Sequence, residues 1–272
     1  MSDSLESRTV RYERRDTVVW LTIDRPEQRN ALNLEVIAGL RHGFERAARE
    51  PGVRALVLTG AGNKAFCAGA DLKVAAAVLG QEQTKESTPY AGLLRAGMAC
   101  SLPVVGRING HCLAGGMGLL ALCDLAVAAD HATFGLPEVK VGIFPLQVLS
   151  ILRRLVPERL LAEMSFTGEP VDALRALEAG LVNYSVPEVQ LDDKVGWLLE
   201  RLVDKSPNAQ RCGKRAWRTI AGMPWEPALA FLEGEIAALV LTADAKEGRQ
   251  AFAERRKPVW ETKADRSGMN TA

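Results

Sequence analysis

Two glycine-bearing turns and one carboxylate carry the chemistry that this sequence offers. The first turn lies in residues 65–72, Ala-Phe-Cys-Ala-Gly-Ala-Asp-Leu, after the apolar run 53–59. The second follows the apolar run 104–108: Asn109-Gly110 is a turn signal, and Gly115-Gly116 opens an apolar segment, 117–123, that reads as a buried helix. A strand, a glycine-rich turn and a buried helix start leave backbone N–H groups without helical acceptors, and the helix dipole behind them favours negative charge. Two such turns aimed at one oxygen make an oxyanion hole from main chain alone. Glu138 follows after a second strand-like run, 124–129, and is the acid or base available to such a site.

Other candidates have plainer readings. Asp71 suits a helix N-cap better than a base. His111 lies on the central turn and reads as structural or pocket-lining, while His42 and His131 read as surface or strand-end residues. Cys67 and Cys112 read as small packing residues rather than nucleophiles. No His/Cys/Asp/Glu cluster has metal-ligand spacing. The glycine stretch is not GxGxxG and no phosphate loop is present, so neither a dinucleotide nor a nucleotide-phosphate fingerprint is supported.

These groups must be positioned by an α/β body. Residues 18–23 read as a strand ending at Asp24-Arg25-Pro26. Asn33 reads as the N-cap of a helix from Leu34 to about Glu50, with Leu34, Ile37, Leu40, Phe44 and Ala47 on one face, stopped by Pro51-Gly52. The next strand, 53–59, then pairs in parallel through a helical crossover. Residues 74–88 shift from apolar to QEQTKEST and read as a surface loop, and 90–100 as a helix. Past Pro145, helices are expected at 158–166 behind Pro157 and at 171–179 with Gly180 as C-cap, then a last strand at 181–186. Near residue 190 strand-like runs stop, and four helical patterns follow, at roughly 190–205, 208–221, 226–241 and 243–256. The division expected is a core over 1–189 and an assembly region over 190–272.

The composition narrows the class. The chain has 272 residues, 47% hydrophobic and 25% charged, the balance of a globular protein long enough for one large domain. A net charge of +1 gives no electrostatic reason to expect nucleic acid or an anionic membrane as partner. The five cysteines, at 67, 100, 112, 123 and 212, show no CxxC spacing, which suits reduced thiols in the cytoplasm. The first sixteen residues lack an apolar signal region, and no run approaches the ~20 apolar residues of a membrane span.

AFCAGADL followed by INGHCLAGGMGLLALCDLAVAADHATFGLPEVKVGIFP resembles the crotonase (enoyl-CoA hydratase/isomerase) superfamily, over most of the chain from about Val18. The resemblance implies a spiral of β-β-α turns followed by an all-helical C-terminal region that drives assembly into homo-trimers or hexamers. It implies an acyl-CoA thioester substrate, with coenzyme A part of the substrate and no separate cofactor, in fatty-acid or related acyl-CoA degradation. By match to the motifs, the oxyanion donors are the N–H groups of Ala70 and Gly115, and Glu138 is the acid/base. Donors placed where charge develops lower the barrier rather than only tightening binding. Ala68, Asp71, Leu72 and Lys73 match the family's CoA-contacting stretch, as do Arg25 and Ala31 in DRPEQRNAL and Phe252 and Arg255 in AFAERRKP, the last two sometimes serving a neighbouring subunit.

The sequence departs from the hydratase pattern at Gly118, where a first glutamate is expected twenty residues before Glu138. A single carboxylate suits moving a proton between C2 and C4 of an enolate, which is Δ3,Δ2-enoyl-CoA isomerisation, at least as well as hydration. Its pKa must then be raised, and Phe134, Leu136 and Phe144 are the apolar neighbours proposed to do so. After Pro145 the expected glycine-rich loop is Leu-Gln-Val-Leu, so Gln147 is a candidate to position water or substrate. Another enolate reaction (thioester hydrolysis, dehalogenation, decarboxylation) and a binding-only homologue are the competing readings.

Overall fold

The computed structural model describes residues 8–71 and 87–260. Among them the chain builds two sheets. The larger has six strands in the order β1-β2-β3-β5-β7-β10: β1 (Val10–Arg15), β2 (Val18–Ile23), β3 (Ala55–Gly60), β5 (Val104–Ile108), β7 (Leu125–Ala129) and β10 (Tyr184–Val186). Only β1 and β2 run antiparallel; every other pair is parallel. The smaller sheet has the order β4-β6-β8-β9: β4 (Ala65–Cys67), β6 (His111–Leu113), β8 (Thr133–Gly135) and β9 (Val171–Asp172). After β1 and β2, successive pairs of strands place one strand in each sheet.

The sequence explains the large sheet. All six residues of β3 are buried, as expected for a parallel strand covered on both faces. Helix α1 (Leu34–Arg49) begins at Asn33, whose side chain accepts from the Val36 N–H, and buries Val36, Ile37, Leu40, Phe44 and Ala47 against the sheet. Leu34, placed on that face by periodicity, is instead exposed at the helix start. The parallel β2–β3 pair across α1 is the crossover that the spacing predicts.

One face of the large sheet carries the main core with α1, α2 (Pro89–Ala99) and α3 (Gly115–Ala121). Short helices α4 (Leu146–Leu152), α5 (Glu158–Thr167) and α6 (Ala173–Glu178) follow. Residues 171–179 differ from the single helix expected: Val171–Asp172 pairs with β8, and the Asp172 side chain then caps α6. The last four helices are α7 (Leu191–Val203), α8 (Pro207–Ile220), α9 (Trp225–Leu239) and α10 (Ala243–Ala253). Helix α7 seals the other face of the sheet, where Leu191, Val195 and Leu198 pack on Val57, Val105 and Val127. Helix α9 is apolar yet has no buried residue.

No described helix is long and apolar enough to cross a membrane. Residues 72–86 lie outside the described residues, so the surface loop expected over 74–88 is described only at its end.

Candidate active site

Strands β4, β6 and β8 are adjacent and parallel, so their C-terminal ends meet at one edge. Cys67 is in register with Cys112, and Cys112 with Phe134. Three residues past Cys67 is Ala70, three past Cys112 is Gly115, and four past Phe134 is Glu138. That edge is where parallel strands place ligands.

Each strand end is fixed by its own bonds. Beyond β4, the Leu32 N–H donates to the Gly69 carbonyl and the Asp71 N–H to the Leu32 carbonyl, at 2.7 and 2.8 Å. By strand alternation the N–H of Ala70 points to the opposite side. Gly69 has φ +91, and a Cβ there would lie 2.5 Å from the Ala114 Cβ and 3.3 Å from the Gly115 nitrogen, so the two turns touch and the first admits only glycine. Beyond β6, Ala114 donates to the Gly135 carbonyl at 2.9 Å. Its φ of 49 and ψ of −122 are those of a tight-turn position that favours glycine. Gly115 begins α3, so its N–H has no acceptor within the helix.

Two buried asparagines hold the approach to β4. Asn30 donates to the carbonyls of Ala61 and Ala65, and its side-chain oxygen accepts from the Arg25 N–H. Asn109 accepts from the Gly60 N–H and donates to Gly62 and Ala65. Sequence reasoning missed Asn30; a non-glycine residue at φ 55 inside the core reveals it only in three dimensions.

Glu138 sits on a 3-10 turn, Pro137–Val141, that packs on α5. The residue is half-buried, and its Oε2 is buried with no hydrogen-bond partner among the described residues. Burial raises its pKa above the usual carboxylate value, against a smaller lowering by a bond to its own backbone. Phe134 and Leu136, two of the three neighbours proposed for this effect, are fully buried, and Phe144 stands 5.4 Å from the Phe166 ring. Gln147 donates from Nε2 to the Thr88 hydroxyl at 2.7 Å, while its Oε1 is also buried without a partner among the described residues. Buried polar atoms left unpaired by the protein mark places where a ligand or water supplies the partner.

A family model described as enoyl-CoA hydratase/isomerase matches residues 13–263. Carnitinyl-CoA dehydratase of Escherichia coli is 34% identical over 262 residues, covering 93% of this chain and 98% of that one. The chain belongs to the enoyl-CoA hydratase/isomerase (crotonase) family. The enoyl-CoA hydratase structure of Mycobacterium smegmatis superposes with a TM-score of 0.84 at 34% identity, over 93% of this chain and 98% of that one. The Bacillus anthracis enoyl-CoA hydratase gives 0.85 at 30%, over 93% and 99%. The spiral of paired strands and the helical end are thus the crotonase fold.

Within this crotonase, the remaining expected residues fall in different places. Arg25 is clasped inside: it donates to the Ala31 carbonyl at 2.7 Å and pairs with Asp71 at 3.1 Å, with both side chains mostly covered. Asp71 is the anion of that clasp, and the helix it is expected to cap lies outside the described residues. Ala68 donates to the Arg29 carbonyl beside it. Leu72 and Lys73 lie outside the described residues. Phe252 and Arg255 are exposed at the end of α10, which packs on α8. His111 bonds through Nδ1 to the Thr133 hydroxyl at 2.7 Å and ties β6 to β8. Burial pushes the Cys67 thiol up to about 12 and that of Cys112 well above its usual value, which keeps both protonated. Gly118 faces the hydroxyl of Tyr90, and a side chain there would overlap it. No His/Cys/Asp/Glu group with metal-holding geometry occurs among the described residues.

Proposed function

We propose that this crotonase acts on an enoyl-CoA thioester through a thioester enolate, with the N–H groups of Ala70 and Gly115 as oxyanion donors and Glu138 as the one acid/base. The observation that carries the reading is the convergence of the β4, β6 and β8 ends on these three residues, one of them a half-buried carboxylate whose Oε2 is buried with no hydrogen-bond partner among the described residues. Glu138 takes a proton from C2 of a 3-enoyl-CoA. The electron pair moves onto the thioester oxygen, where each of the two donors contributes about 3 kcal/mol. Glu138 then returns the proton to C4, and the double bond lies between C2 and C3. A carboxyl group with a raised pKa suits both steps near neutral pH. Coenzyme A enters as part of the substrate, without a further cofactor.

Hydration or dehydration is the second reading. It is favoured by the similarity to a carnitinyl-CoA dehydratase and by Gln147, whose Oε1, without a partner among the described residues, can accept from a water or a substrate hydroxyl. Product analysis with crotonyl-CoA, a 3-enoyl-CoA and a 3-hydroxyacyl-CoA separates the two. Isomerised 3-enoyl-CoA without hydration is expected; hydration of crotonyl-CoA would put the second reading first. Loss of no activity in Glu138→Ala would remove Glu138 from both.

The chain further divides, in this reading, into an acyl-CoA-binding core over residues 1–189 and an assembly region over 190–272. The apolar, unburied α9, with exposed Trp225, Leu229 and Ile236, supports a homo-trimer or hexamer. Exposed Phe252 and Arg255 are then placed to reach a neighbouring subunit's CoA. Arg25, Ala31, Ala68 and Asp71 shape the first turn from within, and Leu72 and Lys73 are assigned to CoA by their match to the family's CoA-contacting stretch alone. The five unpaired cysteines support a cytoplasmic setting. Neither nucleic acid nor membrane is a partner in this reading, and fatty-acid or related acyl-CoA degradation is the pathway class.

A further inference from the structure

Tyr90, in the first turn of α2, is buried and donates its hydroxyl to the Gly115 carbonyl at 2.6 Å. Burial holds the phenol well above its ordinary pKa, so it remains a donor. A Cβ on Gly115 would lie 3.6 Å from the Tyr90 ring, and one on Gly118 would overlap the hydroxyl oxygen and lie 3.2 Å from Cζ. The phenol therefore lies across the first turn of α3, covering both glycines.

That helix start needs an external hold. Helix α3 has seven residues, its N-cap makes no side-chain bond, and the N-cap is Ala114 at φ 49. A non-glycine residue there costs about 1–3 kcal/mol and persists only where the surroundings enforce it. The Ala114–Gly135 bond fixes one side of the turn; the Tyr90 hydroxyl fixes the other. The Thr88 side chain caps α2 at Ala91 and accepts from Gln147, so the base of Tyr90 is itself held.

We propose that Tyr90 is a positioning residue for the enolate site: its hydroxyl anchors the Gly115 carbonyl and so aims the Gly115 N–H, while its ring closes the space above Gly118 to a second acid/base side chain. This rests on Ala70 and Gly115 being the oxyanion donors. The acid/base complement is then limited by packing as well as by the missing side chain. A carboxylate at 118 would displace Tyr90 and release the donor.

The test uses the full chain, wild type and Tyr90→Phe, with acetoacetyl-CoA, whose enolate absorbs in the near ultraviolet. Phenylalanine keeps the ring and removes only the hydroxyl. Loss of one such bond predicts about a tenfold fall in the bound enolate fraction and in kcat, with thioester affinity and KM changed less than about twofold. Tyr90→Phe that enolises the thioester as well as wild type overturns the proposal and leaves the site reading standing. Parallel loss of enolate, affinity and Tm would make the hydroxyl a general support of the fold, which also overturns it. A wild type that binds the thioester without an enolate band would fail the oxyanion reading, and the proposal with it.

Discussion

Asp124 and Glu138 are both shielded carboxylates, and the protein treats them in opposite ways. Asp124 accepts from the Val104 N–H at 2.7 Å and from Lys214 Nζ at 2.5 Å, and pairs with Arg218 at 3.3 Å. Lys214 is itself buried and also donates to the Leu102 carbonyl. Arg218 reaches the carbonyls of Met98 and Cys100 at the end of α2. This network fastens α8 to the core. Glu138 keeps one oxygen buried without any such partner among the described residues. A carboxylate with its acceptors filled fixes geometry; one left unpaired is held in readiness to take a proton.

Removing each charge sharpens the contrast. Glu138→Gln should lower kcat by about 10²–10⁴-fold on whichever acyl-CoA the wild type turns over. Its Tm at pH 7 should be unchanged or higher, because an unfavourably buried charge is gone. Asp124→Asn should do the reverse: a loss of about 3 kcal/mol in denaturant unfolding, because Lys214 is left buried without its anion, with kcat per folded molecule retained. Equal damage to turnover and stability in both variants would dissolve the distinction.

Gly118→Ala probes the wall next to the site. The new methyl meets the Tyr90 hydroxyl, and overpacking of this kind costs about 1–3 kcal/mol. In the Tyr90→Phe background the cost should be smaller, and a double-mutant cycle on unfolding free energy measures the difference. Purely additive costs would mean that the two residues do not compete for the same space.

The pH profile gives the smallest effect. Burial raises the Glu138 pKa in the folded chain, so the acidic limb of kcat/KM should lie above the ordinary value of 4.5 and vanish in Glu138→Gln. The sign for stability follows: the folded state binds the proton more tightly than the unfolded one. The stability due to that proton is full below the ordinary carboxylate range and is lost as pH rises through the folded pKa. Unfolding free energy across that interval should fall with pH in wild type and stay flatter in Glu138→Gln.

The difference between the two carboxylates was only partly legible in the sequence. The buried strands at 18–23 and 104–108, the Asn33 cap and the four terminal helices follow from long apolar runs and helical periods. Glu138 and the two turns were readable as a set because glycine pairs and a following carboxylate are local signals. The small sheet was not readable, although it brings the set together. Its strands Ala65–Cys67, His111–Leu113 and Thr133–Gly135 have three residues each, too few to show a period. The strand Val10–Arg15 carries four charges in six residues and lies at the sheet edge, where charge guards against further pairing. Tyr90 over Gly118 and Lys214 on Asp124 are meetings between distant parts of the chain, and nothing near either residue announces them.

The Asp124–Lys214 pair spans 90 residues of chain. During synthesis at about 5–20 residues per second, Asp124 emerges some 5–18 s before its partner. Over that interval a nascent core can stack its strands while one acidic group near its centre still depends on water. The arrival of α8 therefore closes the fold from outside. A ribosome-stalled chain with residues up to about 206 clear of the exit tunnel should be open to proteolysis around Val104 and Asp124, and one with Arg218 also clear of it should not.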